Sequence, residues 1–178
     1  MAGGRLRISW LALLAALAAV TISIAADLAG PASQTTQRLF RIERSKNANI
    51  VAYDLRLDSD GKPDPKTPVE AYWVSPGDGS REALSMVQKK LAYGFKSRFE
   101  NPDVVVLRMV ADLGREIRVE RVGGVFRALV DIDGKRSVLD HIYVKSIERA
   151  LLLPSVEFVD LFGLDVATGA ERHERIVP

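Results

Sequence analysis

The chain has 178 residues, 47% hydrophobic and 27% charged, with a formal net charge of +2, a composition that excludes intrinsic disorder and fits one domain with an appendage. Without Arg5 and Arg7 the 25 Lys and Arg become 23, equal to the 23 Asp and Glu; the remainder is neutral with interleaved signs, and nucleic acid is not an expected partner. The absence of cysteine excludes disulfides, thiol nucleophiles, thiolate metal sites and a lipidated cysteine together.

Arg5 and Arg7 precede an apolar run from Ile8 to Ala26, rich in Leu and Ala. This is the pattern of a secretory signal peptide over residues 1–26, with cleavage after Ala25 or Ala26. The alternative is an uncleaved anchor, since the run is long enough to cross a bilayer. Membrane contact is expected only through this segment. Residues 27–37 read as a linker and 38–178 as a single β domain.

Leu39 to Leu57 predicts a hairpin. Phe40 and Ile42 alternate with Arg41 and Glu43, and Val51, Tyr53, Leu55 and Leu57 alternate with Ala52, Asp54 and Arg56, so each strand should have one buried and one wet face. Asp58 to Lys66 is a polar loop, and Val69 to Ser75 a third strand. From Ser80 as N-cap to Gly94 as stop, Leu84, Val87 and Leu91 recur at helical spacing and predict one helix. Strands return at Val104–Val110 and Arg115–Val122. Gly123 with Gly124, and Asp133 with Gly134, supply two-residue turns into Val125–Ile132 and Ser137–Lys145. Glu148 to Leu153 is ambiguous between a helical turn and a loop. Val156–Leu164 and Glu171–Val177 complete the set, the last as an edge or closing strand. Nine or ten strands joined by hairpins predict an all-β antiparallel up-and-down, lipocalin-like barrel with one inserted helix; the alternative is a two-sheet sandwich.

The familiar reaction motifs are missing. His173-Glu174 begins like a zinc-protease signature, but the second His would fall at Val177, on a strand. Asp58, Asp60 and Gly61, and Asp131, Asp133 and Gly134, resemble calcium-loop fragments without the twelfth-position acid and read as turns. No metal and no cofactor are expected. Asp140, His141 and Tyr143 share one strand, yet strict alternation points Asp140 away from His141 and leaves the imidazole without a same-face partner. Candidate ligand-binding residues are the polar corner Arg44, Lys46, Asn47 and Asn49, the amphipathic aromatics Tyr53, Tyr72, Trp73 and Tyr93, and His141 with Tyr143. Each has a plainer reading: turn chemistry for the corner, core with one satisfied polar group for the aromatics, and a surface histidine.

The stretches FRIERSKNANIVAYDLRL, PVEAYW, LAYGF and VEFVDLFGLDVATG resemble a family of exported bacterial proteins classed as a domain of unknown function. The resemblance runs from about Leu39 to Val177 and implies export to the periplasm or cell envelope; it implies no reaction, ligand or catalytic residue. The residues support a non-enzymatic barrel that binds a small apolar molecule or an envelope component. Two alternatives are a carboxylate- and tyrosine-dependent hydrolase drawing on Glu43, Glu70 or His141, and a structural or assembly protein of the envelope.

Overall fold

The computed structural model describes residues 35–178 apart from 46, 76 and 148–154. The expected leader and the ambiguous Glu148–Leu153 stretch therefore lie outside the described residues. Eleven strands are present among them: β1 (Thr35–Arg44), β2 (Asn47–Leu57), β3 (Val69–Val74), β4 (Arg81–Ala83), β5 (Phe95–Asn101), β6 (Val104–Met109), β7 (Asp112–Val122), β8 (Val125–Ile132), β9 (Lys135–Ile147), β10 (Ser155–Asp165) and β11 (Glu171–Ile176). β1 starts inside the stretch read as linker. Between β4 and β5 stand a three-residue helix α1 (Met86–Gln88) and a π-helical turn, Lys89–Tyr93.

The strands hydrogen-bond in the order β4-β3-β2-β1-β9-β8-β7-β6-β5, with β10 on the far side of β9 and β11 beside β10. The domain is all-β, as the alternation predicts, and its sheet curls into an open half-barrel. β9 is the branch point. Its first residues pair with β8, and His141–Val144 pair in parallel with Arg41–Arg44 of β1. β10 follows β9 antiparallel from Ser137 to Ile147. Every other pairing is antiparallel. The two-residue turns form as the glycines require: Gly123 and Gly124 have φ of 61° and 83°, and Asp133 and Gly134 of 49° and 68°, the double positive φ of a type I′ hairpin.

The core lies between β1–β2 and β6–β8, where Phe40, Val51, Tyr53 and Leu55 meet Leu107, Val119, Phe126 and Val130. Each such apolar side chain contributes about 1.5–3 kcal/mol on burial. Tyr53 stacks on Phe40 with centroids 4.4 Å apart. A bulge at Leu39 breaks the β1 register between Arg38 and Phe40, so two consecutive apolar residues, Leu39 and Phe40, both bury.

Two sequence expectations need correction. The wet face of β2 is not wet: Ala52 and Asp54 are as buried as their core-facing neighbours. Ala52 lies in register between Arg41 and Tyr72, whose long side chains can roof a small one. Val106 is buried in the same way between Arg98 and Arg118, the arginine stems supplying apolar cover while their heads stay wet.

The helix is the second. Arg81–Ala83 is a strand paired with β3, and the cap is Ser85, whose hydroxyl accepts from the Gln88 N–H at 3.2 Å while the Gln88 side chain accepts from the Ser85 N–H at 2.8 Å. This reciprocal capping box outcompetes Ser80. Of the spaced apolar residues only Leu84 is buried; Val87 and Leu91 are 64% and 60% exposed. The turn ends at Gly94, where the backbone becomes extended, and only glycine fits there because a Cβ would lie 1.9 Å from the Lys89 carbonyl oxygen.

Candidate functional site

The parallel register of β1 and β9 sets Ile42 beside Ile142 and Arg44 beside Val144. Together with Ser146 they present one alternating face, with Ile42 buried in the core and Ile142 and Val144 half-buried against it. This face lines a cleft of about 780 Å³, within the range of small-molecule sites. Val159 and Leu161 of β10 and Ile176 of β11 extend the lining on one side, and Met109 and Ile117 of β6 and β7 on another. Val87, Leu91 and Tyr93 contribute from the helical turn. That accounts for the exposure of Val87 and Leu91: the helix turns its apolar side over the cleft.

Two cations stand in this apolar surround. Arg115 is engaged by Glu174, its Nη1 and Nη2 donating to the two carboxylate oxygens at 3.0 and 2.8 Å, and Nη1 also donates to the Asp131 carbonyl at 3.1 Å. The Arg44 guanidinium lies 6.0 Å from the centre of the Tyr93 ring. Burial pushes the Tyr93 phenol up, against the Arg44 charge that draws it down. The Arg44 Nε and the Ser146 Oγ are both buried without a hydrogen-bond partner among the described residues. No Asp or Glu belongs to the described lining.

The predicted ligand residues divide accordingly. Arg44 and Tyr93 line the cleft. Trp73 packs edge-on against Tyr93 at 5.1 Å, backing the wall without lining it. Tyr53 is fully buried beneath, its hydroxyl donating to the Tyr93 carbonyl at 2.7 Å. Tyr72 points to the opposite face, where its hydroxyl donates to buried Asp54 and Arg38 forms an ion pair with the same carboxylate. Burial and then the hydrogen bond to Asp54 hold the Tyr72 phenol up. Asn47 pairs with Arg44 at the start of β2 and Asn49 follows on the same strand, while Lys46 lies outside the described residues.

His141 and Tyr143 occupy the other face of β9. The His141 ring stacks on Phe162 at 4.4 Å, Phe162 stacks on His173 at 4.7 Å, and Tyr143 tilts toward Phe158 at 6.3 Å. Asp140 does not point away from His141: its Oδ2 lies 2.7 Å from Nδ1. The register slips between Phe162 and Gly163, so that His141 and Leu139 face consecutive residues of β10 and Asp140 is the extra residue. A bulge of this kind suspends alternation and lets neighbours approach. Glu43 reaches this outer face too, held by Arg41 at 2.7 Å, whereas Glu70 sits on β3 beside Arg56 at 4.0 Å. None of the three hydrolase candidates lines the apolar cleft. No metal-ligand cluster occurs among the described residues.

Sequence reading missed Ser146, Ile142 and Val144 because it picked the odd-numbered polar residues of β9. The even-numbered alternation Ile142, Val144, Ser146 was the available signal.

Fold and cleft together define an all-β half-barrel domain with an apolar concavity. Residues 40–175 match the family model described as Domain of unknown function (DUF4833), and the chain belongs to that family. Comparison with curated proteins and with solved structures gives no match.

Proposed function

We propose that this domain is a non-enzymatic binding module that takes a small, largely apolar molecule, or the apolar part of an envelope component, into the cleft between β1, β9, β10 and the helical turn. The observation that carries the reading is the apolar lining itself. Half-buried Ile142, Val144 and Val159, beside buried Ile42 and Leu161, line a cleft of about 780 Å³, although a curled sheet gains by filling its concave side. The lack of Asp and Glu side chains among the described lining residues weighs against acid–base hydrolysis in this cleft.

The N-terminal pattern of Arg5, Arg7 and the Ile8–Ala26 run supports export to the periplasm or envelope. N-terminal sequencing of the protein from its own cells should begin at Asp27 or Ala26; a retained N-terminus means an anchor instead.

Native mass spectrometry of protein purified without detergent from its own cells tests the binding reading. The expected result is a stoichiometric small molecule, released on unfolding and absent from a variant whose cleft is blocked by Ile142→Trp. Repeated recovery of empty protein that also fails to take up an apolar fluorophore would overturn it.

A further inference from the structure

We infer that the ligand of the cleft is a single-chain amphiphile ending in a carboxylate, with its acid seated on Arg44 and Ser146 and its hydrocarbon along Ile142, Val144 and Leu161. This rests on the binding reading above and adds the chemistry of the molecule bound.

Ser146 is only 4% exposed and its hydroxyl has no partner among the described residues. It is held in place, since its N–H donates to Ser45 Oγ at 3.3 Å, and Ser45 N–H in turn donates to the Val144 carbonyl at 3.2 Å. Arg44, the last residue of β1, stands in register with Val144, and its Nε–H is buried and lacks an acceptor among the described residues. Among the described residues the Ser146 hydroxyl and the Nε–H of Arg44, whose guanidinium otherwise meets the Tyr93 side chain, thus lack partners in one cleft with apolar walls. Buried polar groups are normally satisfied, and exceptions call for a missing partner.

The chemistry of that partner follows from what the donors need. A carboxylate is acceptor-only, with two oxygens, and can take a charge-assisted bond from Arg44 and the hydroxyl hydrogen of Ser146 together. An amine would meet like charge, and a plain hydrocarbon would leave both donors bare. Arg115 is not the anchor, because Glu174 already holds it in a two-bond pair.

The test is displacement of an apolar fluorophore from the purified full chain by hexadecanoic acid and by hexadecan-1-ol, which share a tail and differ in the head. We expect the acid to bind at least about tenfold tighter than the alcohol, the order of a hydrogen-bonded charge in a dry site. Arg44→Gln should bring the two to within about twofold, and Ser146→Ala should weaken the acid while leaving the alcohol unchanged. Equal binding of acid and alcohol by the wild-type chain overturns the carboxylate inference and leaves the cleft reading intact. Displacement by neither overturns both. An acid preference that survives Arg44→Gln shows the anchor to be elsewhere and overturns the assignment. Should Arg44→Gln fail to fold, Arg44→Met, which keeps the stem, replaces it, and the wild-type comparison decides in either case.

Discussion

The Tyr53 hydroxyl and the Tyr93 carbonyl, 40 residues apart in the chain, are joined by a 2.7 Å hydrogen bond, which ties the floor of the core to the turn that walls the cleft. Tyr53→Phe keeps the ring stacked on Phe40 and removes only the donor. The variant should lose about 1–3 kcal/mol, the cost of a buried carbonyl left bare. Urea unfolding checks this: the midpoint should fall with the slope unchanged.

Acid should destabilise the domain through its paired carboxylates. Asp165 accepts from the main-chain N–H of Thr168 and from Arg172, and then from the N–H of Ala167, which together hold its carboxyl down to about 2. Arg115 lowers Glu174, and Arg175, then His173, lower Asp160 despite its burial. A carboxyl depressed by folding stabilises the protein above its unfolded pKa of about 3.9, and that contribution disappears as pH falls through the folded value. Melting temperature should therefore drop steeply between about pH 4 and pH 2, and Asp165→Asn should flatten that limb. An unchanged acid limb in Asp165→Asn would show that its contacts add nothing.

At the alkaline end the sign reverses. Burial raises the Tyr53 phenol far above its usual range, so the folded chain keeps a proton that the unfolded chain releases near pH 10. Stability contributed this way is present below about pH 10 and lost above it. The alkaline limb should be shallower in Tyr53→Phe, measured as melting temperature from about pH 9 to pH 11.

Gly163 lies where β10 passes the bulge of β9, and a Cβ there would fall 2.4 Å from the Val138 carbonyl oxygen and 2.8 Å from Ile132 Cδ1. One of these is backbone and cannot swing aside. Gly163→Ala should destabilise by about 1–3 kcal/mol, as overpacking does, although glycine-to-alanine changes in open positions are near neutral or favourable. Gly77, where an added methyl would meet nothing within 4 Å, is the control. Thermal melts of Gly163→Ala and Gly77→Ala should move apart.

Ser85→Ala removes the hydroxyl that accepts from Gln88 and should cost about 1 kcal/mol or less in global stability. Its larger effect is local, because the helix carries Val87 and Leu91 over the cleft. Amide exchange at residues 86–93 should quicken more than exchange in β2 or β8, and fluorophore affinity should fall.

Much of the fold was written in local pattern. Val125–Ile132 alternates cleanly between two glycine-bearing turns, and β8 has those bounds. β4 and β5 were not legible: Arg81–Ala83 is three residues long, and Phe95–Asn101 has only Phe95 and Phe99 as apolar positions and is exposed almost throughout. Nor was the pairing of Arg44 with Val144, because nothing within either segment records a parallel neighbour 100 positions away. Of the seven residues named from sequence whose side chains are described, Arg44 and Tyr93 reach the cleft. His141 and Tyr143 attracted attention by their chemistry, yet a strand's polar positions commonly face outward, and here the site lies on the other side.

The parallel seam between β1 and β9 also dictates when the domain can form. As the chain emerges from its N-terminal end, β1 and β2 can zip at once, but the second edge of β1 waits for residues 141–144. A chain shortened before β9 would keep that edge bare and could not bring Arg44 beside Val144. Such high contact order slows folding and exposes an unpaired strand to neighbouring chains. Loss of β9 to β11 should yield an aggregating fragment instead of a smaller working domain.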